Sequence, residues 1–282
     1  MGCCLVPADN ELVVMTWNVQ NLFDAVSQGS EYPEFDPESG TWNTFLYHLK
    51  LAATAEVIKS PESGNPDVLL LQEVENAGVV QDLLNTYLKG SGYEFTDISG
   101  EDYGAVHTAI LSRYPLENIQ SHAVWGSGLS EQRFIMEYRL KVNGRNVIIF
   151  NDHWKSKAGS DPGTEERLAA AAVLEAASLN ALEESSLVVA GGDFNCEYDT
   201  FSMSGLSWEK PENCEGSYVY KREWEAIDML LLSENMRKKL KDMMYYPGDL
   251  MKNSLGFPVP FNAYSGQGYS DHLPLIAVFA VE

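Results

Sequence analysis

Apolar residues gather into short unbroken runs along the chain, at residues 12–17, 68–71, 108–111, 147–150, 187–190, 229–232 and 275–279. Runs this short, bounded by Gly, Pro, Asn or Asp, read as strands covered on both faces. Residues 134–140 partly alternate, as a half-exposed strand does. Between the runs, Trp42, Phe45, Leu46, Leu49, Ala53 and Val57 repeat at helical spacing. A second helix is expected to open at Thr164, with Glu165 and Glu166 in the first turn where the helix dipole favours acids. It should turn Leu168, Ala172, Leu179 and Leu182 inward. The stretches 196–215 and 243–270, rich in Gly, Pro, Ser and Asn, read as long surface loops.

Nearly every apolar run abuts residues that can do chemistry. The first runs into Asn18, the second into Gln72-Glu73, and 147–150 into Asn151-Asp152-His153. Residues 187–190 end in Gly191-Gly192-Asp193-Phe194-Asn195, Asp228 opens the strand of 229–232, and Asp271-His272 precede the last run. Any one Asp or Asn at a strand end is ordinarily a turn former or a helix cap, and a lone histidine is ordinarily a structural hydrogen-bonder. Their coincidence with so many strand ends is different. Strands stacked in one sandwich would bring these ends to a common edge, the usual layout of a site grafted on a rigid scaffold.

Glu73, Asp193, Asp228 and Asp271 supply carboxylates, His153 and His272 imidazoles, and Asn18 and Asn195 amides. Hard oxygen ligands select Mg²⁺, with Mn²⁺ or Ca²⁺ as substitutes; zinc would want more His or Cys. A metal, imidazoles and amide donors together suit in-line attack of water on a phosphodiester.

Composition limits the picture rather than changing it. The 282 residues are 45% hydrophobic, enough for one sizeable core, and no linker, repeat or low-complexity tract divides them. One domain is expected over 11–282, behind a tail of residues 1–10. No apolar run approaches the roughly 18 residues of a membrane span. The formal net charge of −22, from 19 basic and 41 acidic residues, opposes loose binding of polyanions but leaves room for a local basic groove. Met1-Gly2-Cys3-Cys4 fits the stub of a bacterial lipoprotein, or else an acylated start, although Val6 lacks the hydroxyl that a myristoylation motif prefers. An extracytoplasmic or lipid-anchored place is therefore the expectation, with a cytoplasmic one left open, and the protein is expected to be a monomer. In an oxidising compartment Cys196 and Cys214 could close a loop of roughly 20 residues.

The segments Thr16-Trp17-Asn18-Val19-Gln20-Asn21, Leu71-Gln72-Glu73-Val74, Ile110-Leu111-Ser112-Arg113-Tyr114-Pro115-Leu116, Asn151-Asp152-His153-Trp154-Lys155-Ser156-Lys157, Gly192-Asp193-Phe194-Asn195, Ile227-Asp228 and Ser270-Asp271-His272-Leu273-Pro274 together resemble, in order, the motif set of the endonuclease/exonuclease/phosphatase superfamily. The resemblance runs from about residue 12 to 280. It implies a four-layer α/β sandwich, two mixed β-sheets packed face to face and flanked by helices. It also implies Glu73 as the principal metal ligand, Asn18 beside metal and scissile phosphate, and Asp271 as an optional second ligand. Asp193 would orient or activate the attacking water and Asn195 would hold the phosphate. His272 would contact the phosphate, oriented by Asp228, and His153 would donate to the phosphate or protonate the leaving oxygen. Some members support this histidine with a carboxylate, for which Glu101 and Asp102 are the nearest in sequence.

The segment 153–157 and Arg167, ahead of an Ala-rich helix, look most like bacterial secreted or surface nuclease-type members. Arg113, Arg133, Lys155, Lys157 and Arg167 would form a positive rim for a nucleic-acid backbone, although Arg133 and Arg167 suit buttressing of site carboxylates equally well. Trp125 and Trp154 are candidates for stacking on bases, with burial in the core the simpler reading. The expected function is a nuclease acting on DNA, with RNA as a further substrate. The alternatives are a phosphodiesterase or phosphatase acting on a lipid headgroup or small molecule, in which 196–215 and 243–270 wall off a pocket, and a catalytically silent binding module.

Overall fold

The structure, a computed structural model, describes residues 10–100, 104–124, 133–157, 163–185 and 187–282. Cys3, Cys4, Glu101, Asp102 and Trp125 lie outside the described residues. One sheet holds β1 (Glu11–Leu22), β2 (Val68–Val74), β3 (Phe95–Ile98), β4 (His107–Ser112), β13 (Leu240–Tyr245) and β14 (Leu275–Ala280), in the order β13-β14-β1-β2-β4-β3. The other holds β5 (Glu117–Val124), β6 (Arg133–Val142), β7 (Arg145–His153), β8 (Leu187–Asp193), β9 (Leu206–Ser207) and β12 (Asp228–Ser233), in the order β5-β6-β7-β8-β12-β9. β10 (Tyr218–Tyr220) and β11 (Glu223–Glu225) form a separate hairpin. The helices are α1 (Thr44–Lys59), α2 (Ala77–Asp82), α3 (Thr164–Glu184) and α4 (Glu234–Arg237).

The unbroken apolar runs follow from burial on both faces. Along β1, Leu12 and Val14 enter the core between the sheets, while Val13, Met15 and Trp17 enter the one beneath α1. In the second sheet Val147, Ile149 and Val189 face the central core, and Ile148, Phe150 and Val188 face α3. Helix, sheet, sheet and helix thus make four layers with three apolar seams, the expected sandwich of two mixed sheets flanked by helices.

Pairing directions bring the candidate residues to one edge. β1 and β2 are parallel and joined through α1; β7 and β8 are parallel and joined through α3. Each crossover brings two C-terminal strand ends side by side, Asn18 opposite Gln72 and His153 opposite Asp193. β12 and β14 run antiparallel to these neighbours, so their N-terminal ends, carrying Asp228 and the preceding His272, arrive at the same edge. Gly192 lets β8 close on β7 just before Asp193: a Cβ there would lie 1.9 Å from the Asp152 carbonyl oxygen.

Several sequence expectations need correction. Leu168, Ala172 and Leu179 of α3 lie at the surface and Leu182 is half-buried. The inward face is Ala170, Ala171, Leu174, Ala177, Ser178 and Ala181, because small side chains let the helix lie close on the sheet. Phe45, in the first turn of α1, is 71% exposed, while Lys50 lies on the buried face. The stretch 243–270 is not a surface loop throughout: it finishes β13 and buries Tyr245, Tyr246, Met251 and Phe261. Likewise 196–215 buries Phe201, stacked with Phe194 beside Trp154, and contributes β9. Trp154 is a core residue. Cys196 and Cys214 are both free, one packed in the seam under α3 and the other against the two remaining seams.

Candidate active site

Glu73 sits at a bulge of β2 with φ of 63°, left-handed backbone that a glutamate adopts only at a cost of roughly 1–2 kcal/mol. The bulge swings its carboxylate toward β1, where Oε1 accepts from Asn18 Nδ2 at 2.9 Å and Oε2 from the Asn21 N–H at 2.8 Å. The facing part of β1 is irregular as well, with Gln20 and Asn21 left-handed. The same Asn18 Nδ2 also donates to Asp193 Oδ2 at 3.0 Å, so one amide ties the two sheets' carboxylates together. Its Oδ1 accepts the Gln20 N–H at 2.9 Å, which fixes the orientation of the amide. Asn18 thus donates to both carboxylates, while its Oδ1, with one of its two lone pairs taken by Gln20, lies beside the expected metal position.

Behind this edge the sheets are locked by side-chain amides. Gln72 Nε2 donates to Asn151 Oδ1 at 2.8 Å, and Asn151 Nδ2 donates to the Ala109 carbonyl at 2.9 Å, all fully buried. Asp193 Oδ1 accepts the Asn195 N–H at 2.9 Å, and Asn195 Nδ2 donates to the Trp154 carbonyl at 3.1 Å. The His272 backbone is held by Trp17 Nε1, which donates to its carbonyl at 3.0 Å, and by Ser270 Oγ, which accepts its N–H at 3.1 Å.

The two histidines are driven apart. Burial would lower His272, but the Asp228 carboxylate, 2.7 Å from Nδ1, with Asp271 and Asp193 nearby, holds the imidazole well above the usual histidine range. Burial, with the positive charges of Arg133 and His272, holds His153 well below that range. His272 Nε2 lies 4.0 Å from Asp193 Oδ2, and His153 Nε2 lies 3.9 Å from both Asp193 Oδ2 and Glu73 Oε1. Burial, then the charge of Asp228, pushes Asp193 up to about 7. Glu73 is raised by burial and then by the charge of Asp271.

Two sets of donor atoms compete for a cation. Asp193, Asp228 and His272 bring their donor atoms within 4.8 Å of one another. There, however, His272 Nδ1 already holds its proton against Asp228, and all three residues are buried. Glu73 and Asp271 are 21% and 34% exposed, feel each other's charge and keep oxygens open to solvent. Their hard, partly exposed, mutually repelling carboxylates fit a divalent cation better than the closed trio does.

Among the described residues, most of the expected positive rim is engaged with other protein groups. Arg113 lies at the opposite end of the sandwich, bound to Asp67, Asn65 and the Ser91 carbonyl. Arg133 donates to the His153 and Trp154 carbonyls, and Arg167 to the Lys155 carbonyl, so both brace the backbone rather than carboxylates. Lys157 is paired with Glu225, and Lys155 is half-buried with its stem beneath Gly163. Sequence reasoning passed over Tyr218, whose ring lies 4.8 Å from that of His272, and Lys50, which donates to the Tyr269 carbonyl at 2.6 Å. Lys50 had a signal, being a cation at the i+4 position from Leu46 on an apolar helix face. Tyr218 had none.

The profile of the Endonuclease/Exonuclease/phosphatase family matches residues 13–280. The chain belongs to that family. It is accordingly an enzyme, a metal-dependent hydrolase of phosphodiester bonds. Among solved structures, D. rerio TDP2 complexed with a single-strand DNA product aligns with a TM-score of 0.66 and 17% identity, covering 96% of this chain and 99% of that one. Truncated Caenorhabditis elegans TDP2 gives 0.64 and 19%, over 96% and 97% of the two chains. The human Nocturnin catalytic domain with bound sulfate gives 0.62 and 19%, over 97% and 95%. Identities this low bear on the fold alone. A search of curated proteins finds no match.

Proposed function

We propose that this member of the endonuclease/exonuclease/phosphatase family is a Mg²⁺-dependent nuclease that cleaves DNA, with RNA as a further substrate, by in-line attack of water. The observation that carries the hydrolytic reading is Asp193, a carboxylate pushed up to about 7 between a protonated and a neutral histidine. Groups of one site driven apart in this way divide acid and base work between them. Asp193 accepts a proton of the attacking water as its oxygen bonds to phosphorus; the P–O bond opposite it breaks, and the leaving oxygen takes a proton from solvent. His272 spends its Nδ1 proton on Asp228 and presents the Nε2 proton to a phosphoryl oxygen. Asn195 and the neutral His153 add hydrogen bonds to the same group. Glu73 and Asp271 are the residues that would hold the metal, which when bound neutralises charge gathering on the phosphoryl oxygens. Asn18 keeps Glu73 and Asp193 at a set separation, so that metal and water are placed together.

Support for a polynucleotide comes from a catalytic edge formed by strand ends and from the product-bound D. rerio TDP2, a protein of similar fold. The charge of −22 favours the second reading, a small-molecule or lipid phosphodiesterase with the same machinery. Purified protein incubated with supercoiled plasmid and Mg²⁺, beside Glu73→Gln, decides between them. Nicking lost in the variant is expected; turnover of bis-p-nitrophenyl phosphate without any nicking would move the assignment to small or lipid phosphodiesters.

A further inference from the structure

The hairpin of β10 and β11 stands beside the catalytic edge. Its register pairs Tyr218 with Glu225, Val219 with Trp224 and Tyr220 with Glu223, leaving Lys221-Arg222 as a two-residue turn. Both turn residues are left-handed, with φ of 50° and 71°. Asn-Gly is the usual choice for such a turn, and long side chains bearing a Cβ are strained there. A stable hairpin alone does not call for two long cations at these positions. Outliers of this kind collect where a ligand is handled.

The two faces of the hairpin divide the labour. Trp224 turns inward, onto the seam beneath α1 and edge-on to Phe257 at 5.6 Å. Tyr218 and Tyr220, two residues apart, share the opposite face. The Tyr218 backbone bridges to His272 and its ring lies against the imidazole; Tyr220, roughly 7 Å further along, is 52% exposed. Glu225 on that face is neutralised by Lys157. Lys221 lies over the Tyr220 ring at 4.9 Å, and among the described residues neither Lys221 nor Arg222 has an ion-pair partner. Even with Glu223 beside it, the tip is a small positive point on a chain of net charge −22.

We propose that this hairpin is the arm that holds a polynucleotide: Tyr218 and Tyr220 stack on bases next to the scissile phosphate, and Lys221 and Arg222 take phosphates further along the strand. This rests on the nuclease reading and deepens it. The tip lies three residues, roughly 10 Å, beyond Tyr218, past the reach of a single small phosphodiester. A membrane is the poorer occupant, since a hairpin entering lipid would carry apolar side chains at its tip, and here the tip is cationic while the tryptophan faces inward.

The test is the double variant Lys221→Asn/Arg222→Gly, which installs the residues the turn prefers and so keeps the hairpin folded. A second variant is Tyr220→Ala. kcat/KM is measured for a single-stranded oligonucleotide and for bis-p-nitrophenyl phosphate over a range of salt, and binding to phosphatidylserine-containing vesicles is measured in parallel. The ratio of the two kcat/KM values is expected to fall, roughly 5- to 150-fold for Tyr220→Ala. The salt dependence for the oligonucleotide should become shallower by about 1.4 in log–log slope for the double variant. An unchanged ratio, an equal fall on both substrates, or lost vesicle binding with intact oligonucleotide kinetics overturns the assignment of the hairpin. A wild-type enzyme that turns over bis-p-nitrophenyl phosphate but not the oligonucleotide overturns the nuclease reading itself, and the hairpin's role with it.

Discussion

The two ends of the sandwich deal with buried acids in opposite ways. At one end Asp67, just before β2, accepts the Val13 N–H at 2.9 Å and pairs with Arg113 at 3.2 Å. Arg113 in turn is held by Asn65 and the Ser91 carbonyl and lies over the Tyr93 ring. That acid has its countercharge inside the protein, although burial still outweighs Arg113 and Val13 and leaves the carboxyl above its usual range. At the other end of the same strand Glu73 meets Asp193, Asp228 and Asp271 with no arginine among the described partners, only His272 and, behind them, the fully buried Lys50. Burial pushes Lys50 down to about 7, against the pull of Asp271 and Glu73, so even this balancing charge is weakly held. One end pairs its acid with an arginine and holds the fold together. The other has an excess of oxygen ligands that a cation completes.

The sharpest break of that comparison is at the open end. Asp193→Asn keeps the shape and removes the proton acceptor; kcat should fall roughly 10²–10⁴-fold, with an unchanged circular dichroism spectrum. His272→Ala should cost about 10²–10³-fold. Near-wild-type turnover in either variant would remove the residue from the mechanism. Chelation should abolish hydrolysis, and Mg²⁺ should restore it. Independently of activity, saturating Mg²⁺ should raise the Tm of the wild type, by roughly 2.7 kcal/mol of stability at a hundredfold excess over Kd. Glu73→Gln should lose most of that rise. If Mg²⁺ stabilises the variant as well as the wild type, the ion sits elsewhere, and the Asp193, Asp228, His272 trio becomes its site.

At the closed end the outcome should invert. Arg113→Met leaves Asp67 short of its main partner and should cost about 1–3 kcal/mol of stability, read by urea denaturation, with kcat unchanged within error. A loss of activity without a loss of stability would return Arg113 to the substrate rim where its sequence neighbourhood had placed it.

Legibility in the sequence tracks burial. Strands covered on both faces announced themselves as apolar runs, whereas β3, β5, β9 and β13, all missed, are the edge strands of the two sheets. An edge strand carries half-exposed or charged residues, such as Glu117 and Lys241, and its pattern is close to that of a loop. Glu73, Asp193, Asp228 and His272 were legible because each abuts a buried strand, and pairing alone brings those ends together. The cations were not. Arg113, Arg133 and Arg167 are set by which carbonyl or carboxylate a long side chain happens to reach, and spacing carries no trace of that. The inward face of α3 was misjudged for a related reason, since close packing on a sheet prefers alanine to leucine.

The finest distinction concerns Asp152, a buried acid at the open end that takes no part in the proposed chemistry. Its Oδ1 accepts from Trp154 Nε1 at 2.9 Å, while its Oδ2 is buried without a partner among the described residues. Burial pushes the carboxyl up to about 7, against the Trp154 bond and the charge of His122. The native state therefore binds the proton more tightly than the unfolded chain, whose aspartate titrates near 4. Below about pH 4 both states are protonated and burial of the group costs nothing through ionisation. As pH rises toward 7 the unfolded chain releases its proton first, stability falls, and the full cost of up to about 4 kcal/mol stands above pH 7. Asp152→Asn keeps an acceptor for Trp154 and removes the charge. Its gain in stability over the wild type should be small near pH 4.5 and grow until about pH 7.5, while kcat stays within a few-fold. A gain independent of pH would mean that Asp152 ionises alike in the folded and unfolded chains, as it would if a cation or ordered solvent answered its Oδ2, and the acid would then stand outside the contrast between the two ends.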